Sequence, residues 1–391
     1  MPDVIVIGAG PVGTLLAAEL ARRDVDVEVV ERRDRSGDGS RAIGLHAPVL
    51  SALEEGGATD RILEHAVRVA RGEARSDGKL LGVVRFDRLS MRHPYVATLP
   101  QARTEAALAV GAPEPRRGTT VTAVRAGDTD VRLSVTDARG DDELRAPIVV
   151  VAAGVGARDL VFRPGAVRRT SYPDRYLMSD ADVPDRPDAE TAVVHLAASG
   201  VLESFPLPGG RRRFVAWDAA APGAAGGAAR EADPDDPDAR LARLRTALRE
   251  RGEASAADAV TSATGFRVRR VLAPAMRRGR LVVIGDSAHE ISPIGGQGMN
   301  LGLLDAATLA PLLAEWTRTG VEPASALAQW ERDRLRSARI AGRMAAVNMR
   351  LGRPVSAATH ALRRRTLGAA LAATGSLIPH AYAMGLDSAA R

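Results

Sequence analysis

A chain of 391 residues can bury a large core and divide into two structural domains. It is 45% hydrophobic and 26% charged, an ordinary globular balance, and it has no cysteine, which excludes disulfide frameworks, thiolate metal sites and cysteine nucleophiles. The formal net charge is +6 and the sequence pI about 10.4, but Lys79 is the only lysine; arginine inflates the pI, and 54 basic against 48 acidic residues, with no basic stripe interleaved with aromatics, argue against nucleic acid.

The first residues run straight into an apolar strand pattern behind Asp3, so no signal peptide is expected. Val4–Ile7 is a continuous apolar run, as in a strand covered on both faces. Leu15, Leu16, Glu19 and Leu20 follow at helical spacing, and Val25, Val27, Val29 and Val30 form a second strand ending at Glu31. This βαβ start implies a parallel sheet. Ser36–Gly39 is loop-like, Pro48–Leu53 and Arg103–Ala109 are helical, and Val131–Val135 and Ile148–Ala152 are strands. After Arg163 the short runs Val193–Leu196, Val201–Phe205 and Arg213–Trp217 predict the sheet of a second domain. Residues 219–238 are rich in Gly, Pro and Asp and predict a surface loop. Leu241, Leu244 and Leu248 mark an amphipathic helix, and Leu281–Ile284 returns to strand. From Gly298 the chain is helical almost to its end, with Ile340, Met344, Val347 and Leu351 as an expected buried stripe. Leu367–Leu386 is apolar but broken by Gly375, Pro379 and His380, so it predicts packed helices and not a membrane span. A cytoplasmic protein without membrane or nucleic-acid partners is expected, as a monomer or homodimer. No metal cluster and no Ser-His-Asp arrangement stands out.

Two motifs carry chemistry. In VIVIGAGPVG, Gly8, Gly10 and Gly13 have G-x-G-x-x-G spacing directly between a strand and a helix, and Glu31 closes the next strand. The first glycine makes the tight turn, the second admits a pyrophosphate, and the third packs helix on strand. The helix N-terminus supplies N–H groups, and Glu31 can accept hydrogen bonds from ribose hydroxyls. This motif alone does not separate FAD from NAD. In RLVVIGDSAHEISPIGGQGMNLGLLD, residues 280–305, Asp286 at a strand end can bind a polyol. Gly295, Gly296 and Gly298 let backbone pass close to a flat ring, and a helix N-terminus follows.

This second segment resembles the second FAD motif of the class A flavoprotein monooxygenases, the para-hydroxybenzoate hydroxylase-like family. Gly285, Asp286, His289, Pro293, Gly295, Gly298, Asn300 and Asp305 are all in register. SRAIGLHAPVLSAL is similar to the family's segment after the second strand and puts Arg41 and His46 near the cofactor. LPQARTEAAL supplies Gln101 for the ribityl chain, FPLPGGRRRFV resembles a substrate-domain strand pair, and QWERDR resembles a late helix. The resemblance adds Pro11, Val12, Arg32, Val124, Gly154, Gln297 and Met299 to the expected cofactor contacts. It implies an α/β fold: a Rossmann-like FAD-binding domain interrupted by a β-sheet substrate domain, with C-terminal helices. The expected division is 1–70, 96–164 and 266–350 for FAD, 71–95 and 165–265 for substrate, and 351–391 for the terminal helices.

The implied activity inserts one oxygen atom from O2 into an aromatic or polyketide-like molecule, through a flavin C4a-hydroperoxide, with non-covalent FAD and with NADH or NADPH as donor. Epoxidation, Baeyer–Villiger insertion and an oxygen-independent reductase or dehydrogenase are the alternatives. His46, His289 and Pro293 are the candidates for a catalytic part, and Met178, His195, Phe205 and Trp217 for the substrate pocket. One departure stands out. The family's Asp-Gly motif, whose Asp serves FAD and the nicotinamide, reads VVVAAGVGARDLVFR here, with Ala153 or Val155 in the Asp position. Gly154, Gly156 and Arg158 remain; either ordered water or Asp159 substitutes for the lost carboxylate, or reduction by nicotinamide is weakened or differently arranged.

Overall fold

The structure, a computed structural model, describes residues 1–35, 37, 42–218, 236–373 and 377–387. Arg41, most of the expected loop at Ser36–Gly39 and the loop expected at 219–238, up to residue 235, lie outside the described residues.

The N-terminal pattern folds as expected. A five-stranded sheet runs in the order Arg277–Arg278, Leu281–Val283, Ile148–Val151, Val4–Ile7, Val27–Val30. Val4–Ile7 is parallel to both neighbours, with Val4 opposite Val27 on one side and Ile148 on the other. Unbroken Val/Ile runs suit this position because both faces are covered, and Val4–Ile7, Ile148–Val151 and Leu281–Val283 are buried throughout. The helices Pro11–Ala21 and Gly298–Thr319 meet closely because Gly302 lacks a side chain. A Cβ there would lie 2.6 Å from Val12.

The second sheet has eight strands, ordered His289–Glu290, Thr264–Leu272, Arg168–Asp182, Arg211–Trp217, Gly200–Leu207, Thr191–Ala197, Arg71–Ser76, Lys79–Arg85. It takes in the early hairpin of Arg71–Ser76 and Lys79–Arg85. It also takes in Thr264–Leu272 and His289–Glu290, so it reaches past the expected edge at residue 265. Strand alternation gives it two faces. Leu177, Leu202, Phe214 and Ala216 pack under Leu244 and Leu248 of the helix Pro237–Arg249. Tyr176, Val201, Val215, Trp217 and Val268 face the other way and meet Ile294 and Met349.

The long helix Ala324–Gly352 corrects one expectation. Its buried stripe includes Ala338, Ala341, Gly342, Ala345, Met349 and Gly352, whereas Ile340, Met344 and Leu351 are half-buried and Val347 is exposed. The helix approaches the sheet too closely for large side chains: a Cβ on Gly352 would sit 2.8 Å from Val201, and one on Gly342 would sit 3.1 Å from Arg270. The terminal helix Ala357–Ala373 packs on the Lys79–Arg85 strand, where a Cβ on Gly82 would meet Leu371 at 2.7 Å. Among the described residues no helix is long and apolar enough to cross a membrane, and no side-chain cluster suits a metal ion.

Candidate cofactor and substrate site

At the end of Val4–Ile7 the chain turns through Gly8 at φ +106°, where a Cβ would lie 2.7 Å from the Ala152 carbonyl. A Cβ on Gly13 would lie 1.9 Å from the Gly8 carbonyl oxygen, so helix and turn touch backbone to backbone. Gly10, by contrast, has nothing within 4 Å of that position: it is the open side of the turn. It caps a helix whose first residue is Pro11, with no acidic residue in the first turn and no side-chain cap. The first N–H groups thus lack an intrahelical or capping partner. Glu31 sits beside them, its carboxylate accepting from the Ala9 N–H at 2.8 Å and from the Arg33 N–H and Nε, each at 2.9 Å. Burial alone would raise its pKa, and these hydrogen bonds, Arg33 foremost, bring it below the usual value, so Glu31 is anionic. Arg32 next to it is exposed, and Val124 is half-buried on the strand Thr120–Ala126.

The second motif forms the other wall. Gly285, at φ +60°, lies against Val12, and its N–H donates to Asp305 Oδ2 at 3.0 Å. Asp286 follows with an exposed side chain, while its carbonyl accepts from Arg158, whose other arm reaches Glu290 at 2.8 Å. Ser287 Oγ donates to the Gly154 carbonyl at 2.9 Å, tying this turn to the one after Ile148–Val151. Next comes a loop with exposed Pro293, Gly295 at φ +96° and Gly296 at φ +67°, a conformation that side chains resist. Gln297 caps Gly298–Thr319, again without an acid in the first turn; Met299 is half-buried. Asn300 joins the loop to the segment after the second strand: its Oδ1 accepts from the His46 N–H at 2.9 Å, and its Nδ2 donates to the Gly44 and Gly296 carbonyls at 2.8 and 2.9 Å. Gln101 Oε1 accepts from the Ala42 N–H at 3.2 Å.

The two histidines part company. His46 is buried beside Gly296; burial pushes its pKa down to about 4, so it is neutral, and its Nδ1 has no hydrogen-bond partner among the described residues. His289 is fully enclosed and bonded through Nε2 to Asp305 at 2.6 Å. Asp305 in turn holds Arg334 at 2.7 Å, and Arg334 reaches Asp387 at 2.8 Å. Burial opposes a charge on His289, but the Asp305 carboxylate outweighs it and raises the pKa. His289 therefore has no access to a reacting group; with Arg334 it secures the carboxylate that holds Gly285. Arg334 was legible only as the last residue of QWERDR.

Met178, Phe205 and Trp217 share the sheet face turned towards the loop of Ile294. His195 does not. It pairs with Leu202, an opposite-face residue, and bonds Glu253 at 3.2 Å behind the sheet. One residue earlier or later on that strand would have faced the loop, because side chains alternate. The pocket expectation for His195 is thus withdrawn. In its place the fold brings Glu203, on the loop-facing side between Val194 and Val215, which sequence reading passed over as a lone acid in VLESF. At the departure from the family motif, Ala153 lies against Gly8, whereas Asp159 is 89% exposed and 3.5 Å from Arg169. Asp159 offers no substitute carboxylate in that turn.

These features fit a dinucleotide with an attached ring. The acid-free N-terminus of Pro11–Ala21 meets Gly285 and the second turn of Gly298–Thr319 at Val12, an anionic Glu31 stands at one end, and a glycine-built loop packs through Ile294 on an apolar sheet face at the other.

A family model described as "FAD binding domain" matches residues 1–345. A 6-methylpretetramide 4-monooxygenase from Streptomyces rimosus is 31% identical over 81% of this chain and 56% of its own length. The chain spans 56% to 66% of the length of that protein and of the anhydrotetracycline monooxygenases from Streptomyces rimosus. Among solved structures, p-nitrophenol 4-monooxygenase PnpA from Pseudomonas putida DLL-E4 matches with a TM-score of 0.82 over 98% of both chains at 22% identity, a likeness of fold. The OxyS anhydrotetracycline hydroxylase from Streptomyces rimosus matches with a TM-score of 0.76 at 26% identity, over 99% of this chain and 76% of that one. The chain belongs to the class A flavoprotein monooxygenase family.

Proposed function

We propose that this protein is an FAD-dependent monooxygenase that inserts one oxygen atom from O2 into an aromatic or polyketide-like small molecule, with NADH or NADPH as donor. The observation that carries this reading is the acid-free N-terminus of Pro11–Ala21, whose Val12 meets Gly285 and Gly302, together with a glycine loop that leads into a second acid-free N-terminus and packs through Ile294 on an apolar sheet face. FAD, when bound, supplies hydride acceptance from the nicotinamide and activation of O2. Gly10 and the first turn after Pro11 would hold the pyrophosphate, Glu31 the ribose, and Asp286 and Gln101 the ribityl chain. The loop Pro293–Gly298 would lie along the ring, with the N-terminus of Gly298–Thr319 favouring negative charge there. Neutral His46 can exchange hydrogen bonds at that end without adding a charge. The sheet face with Met178, Phe205 and Trp217 would hold the substrate and exclude water.

The test is oxygen uptake by the yellow holoenzyme with NADH or NADPH across a panel of phenols and fused-ring aromatics. Isotope from labelled O2 should appear in the product. Flavin turnover without oxygen consumption would instead support the oxygen-independent reductase, and the position of the new oxygen separates hydroxylation from epoxidation or Baeyer–Villiger insertion.

Asp286→Ala should weaken FAD by roughly 1.5–3 kcal/mol, the value of one charge-assisted hydrogen bond, read as the dissociation constant from flavin fluorescence titration. An unchanged constant would remove Asp286 from the ribityl chain.

The turn at Ala153 supports a second expected outcome. With Ala153 packed on Gly8 and no acid in its place, reduction by NADH or NADPH should be slow, with a high apparent KM. Ala153→Asp or Val155→Asp, whichever stands in the register of the family's Asp, should accelerate it about 10-fold, equivalent to about 1.4 kcal/mol of barrier, in anaerobic stopped-flow at the flavin absorbance. Fast, saturable reduction of the unaltered protein at micromolar nicotinamide would refute this.

A further inference from the structure

Glu203 is buried at 8% exposure on the face of the sheet that the reading above gives to substrate. Its register partners on either side, Val194 and Val215, are aliphatic, and Met178 continues the row. No described cation pairs with it and no described group donates a hydrogen bond to its carboxyl. The ionisable groups on which its charge bears are phenols: Tyr176, on the strand Arg168–Asp182 beyond Arg211–Trp217, and Tyr382 on the helix Leu377–Tyr382. Burial pushes the Glu203 pKa up to about 8. A lone carboxyl in an apolar wall is costly unless something completes it.

Its place in the fold says what would complete it. Tyr382, whose phenol is pushed up to about 12 by burial and then by the charge of Glu203, donates to Asn348 Oδ1 at 2.7 Å. The Asn348 amide lies 3.1 Å from where a Cβ of Gly295 would stand. Glu203 shares its sheet face with Val215, which packs in one cluster with Ile294 of the glycine loop, and Tyr382 joins the same loop through Asn348. The acid therefore belongs to the sheet face that meets the loop, where a ring held for reaction would present an edge.

We propose that Glu203 anchors the substrate by accepting a hydrogen bond from a hydroxyl on an aromatic ring, so that the site selects phenols and naphthols over their ethers. The proposal rests on the monooxygenase reading for the use of that site. A hydroxyl satisfies the carboxyl in either protonation state. An ammonium group would bury a second charge among aliphatic side chains, which the wall disfavours. Neither polar neighbour substitutes for Glu203: the Tyr176 hydroxyl is sealed at 0% exposure, and Tyr382 is committed to Asn348.

The test uses oxidised holoenzyme without nicotinamide, reading ligand binding from the flavin spectrum. The probes are 2-naphthol, 2-methoxynaphthalene and 2-(aminomethyl)naphthalene. The unaltered protein should prefer 2-naphthol to the ether by about 10-fold, and this preference should grow as pH rises through about 8 and the carboxyl ionises. Glu203→Gln, still an acceptor, should keep the preference at pH 7 but lose its rise with pH; Glu203→Leu should lose it at every pH. Folding is controlled by FAD content and thermal melts. An acid whose pKa is raised in the fold loses stability as pH climbs from the ordinary carboxylate range through about 8, so both variants should melt higher than the unaltered protein at pH 9. A preference that survives in Glu203→Leu, tighter binding of the amine, or no binding of any naphthalene by the unaltered protein would overturn the proposal. Because no turnover is involved, absent oxygen uptake would overturn the monooxygenase reading and leave the binding result standing.

Discussion

Gly13→Ala should yield protein purified almost free of FAD. The added Cβ would fall 1.9 Å from the Gly8 carbonyl oxygen, half the separation that two such atoms tolerate. Neither side can yield cheaply. Gly8 is itself held at φ +106° with a virtual Cβ 2.7 Å from the Ala152 carbonyl, and the strand before it is central in the parallel sheet. The helix Pro11–Ala21 must therefore lift from the turn, which displaces the N–H groups that would hold the pyrophosphate and disturbs the contact of Val12 with Gly285 and Gly302. We expect at least about a 100-fold loss of FAD affinity, about 2.8 kcal/mol. Gly10→Ala serves as the internal comparison, since nothing protein-derived lies within 4 Å of its added methyl. Any loss there reports on the ligand and not on packing. Flavin-to-protein absorbance ratios after purification measure both. Normal flavin content in Gly13→Ala would show that the helix N-terminus does not hold the cofactor.

Arg334→Met should destabilise the fold by about 3–5 kcal/mol, because it strips the counter-charge from two buried carboxylates at once. Arg334 is 2% exposed, bonds Asp305 and Asp387 at 2.7 and 2.8 Å, and donates to the Leu301 carbonyl at 3.1 Å. Asp305 holds Gly285, so the loss should reach the cofactor wall as well as the core. The check is the change in urea midpoint and in FAD affinity. A variant within 1 kcal/mol of the unaltered protein would mean that Asp305 takes up a proton at little cost. The pH dependence follows from the same groups. The Asp305 pKa is held below its usual value by His289 and Arg334 against burial, so its contribution is present above the ordinary carboxylate range and lost as pH falls through the lowered value. The His289 pKa is raised, so its contribution is complete below the usual imidazole value and lost as pH rises through the raised one.

The sequence by itself determined the strand–turn–helix start and the glycine-built turns of this protein. A continuous apolar run, a glycine spacing and an acid at the next strand end act locally: each sets the conformation of the residues that carry it, so Gly8, Gly13, Glu31 and Gly295–Gly298 could be read from neighbours alone. The helix N-termini follow from the same local order. Tertiary structure decided the rest, because those questions turn on which face of an element meets which other. The period of a strand is two, so His195 and Glu203 could exchange faces by a shift of a single residue, and only the pairing of Leu202 with His195 and Ala216 fixes that His195 looks away and Glu203 towards the loop. The stripe on Ala324–Gly352 shifted for a related reason, with Ile340, Met344 and Leu351 half-buried at its margin and Val347 exposed. Hydrophobic spacing selected Val347, but a helix pressed against a sheet at short range needs Gly342, Ala345 and Gly352, and closeness of approach is not written in the periodicity of one helix. The fate of His289 depended on an ion pair with Asp305, sixteen residues away, and on Arg334 beyond it. A charged group becomes structural or reactive according to its burial and partners, and those are properties of the folded chain.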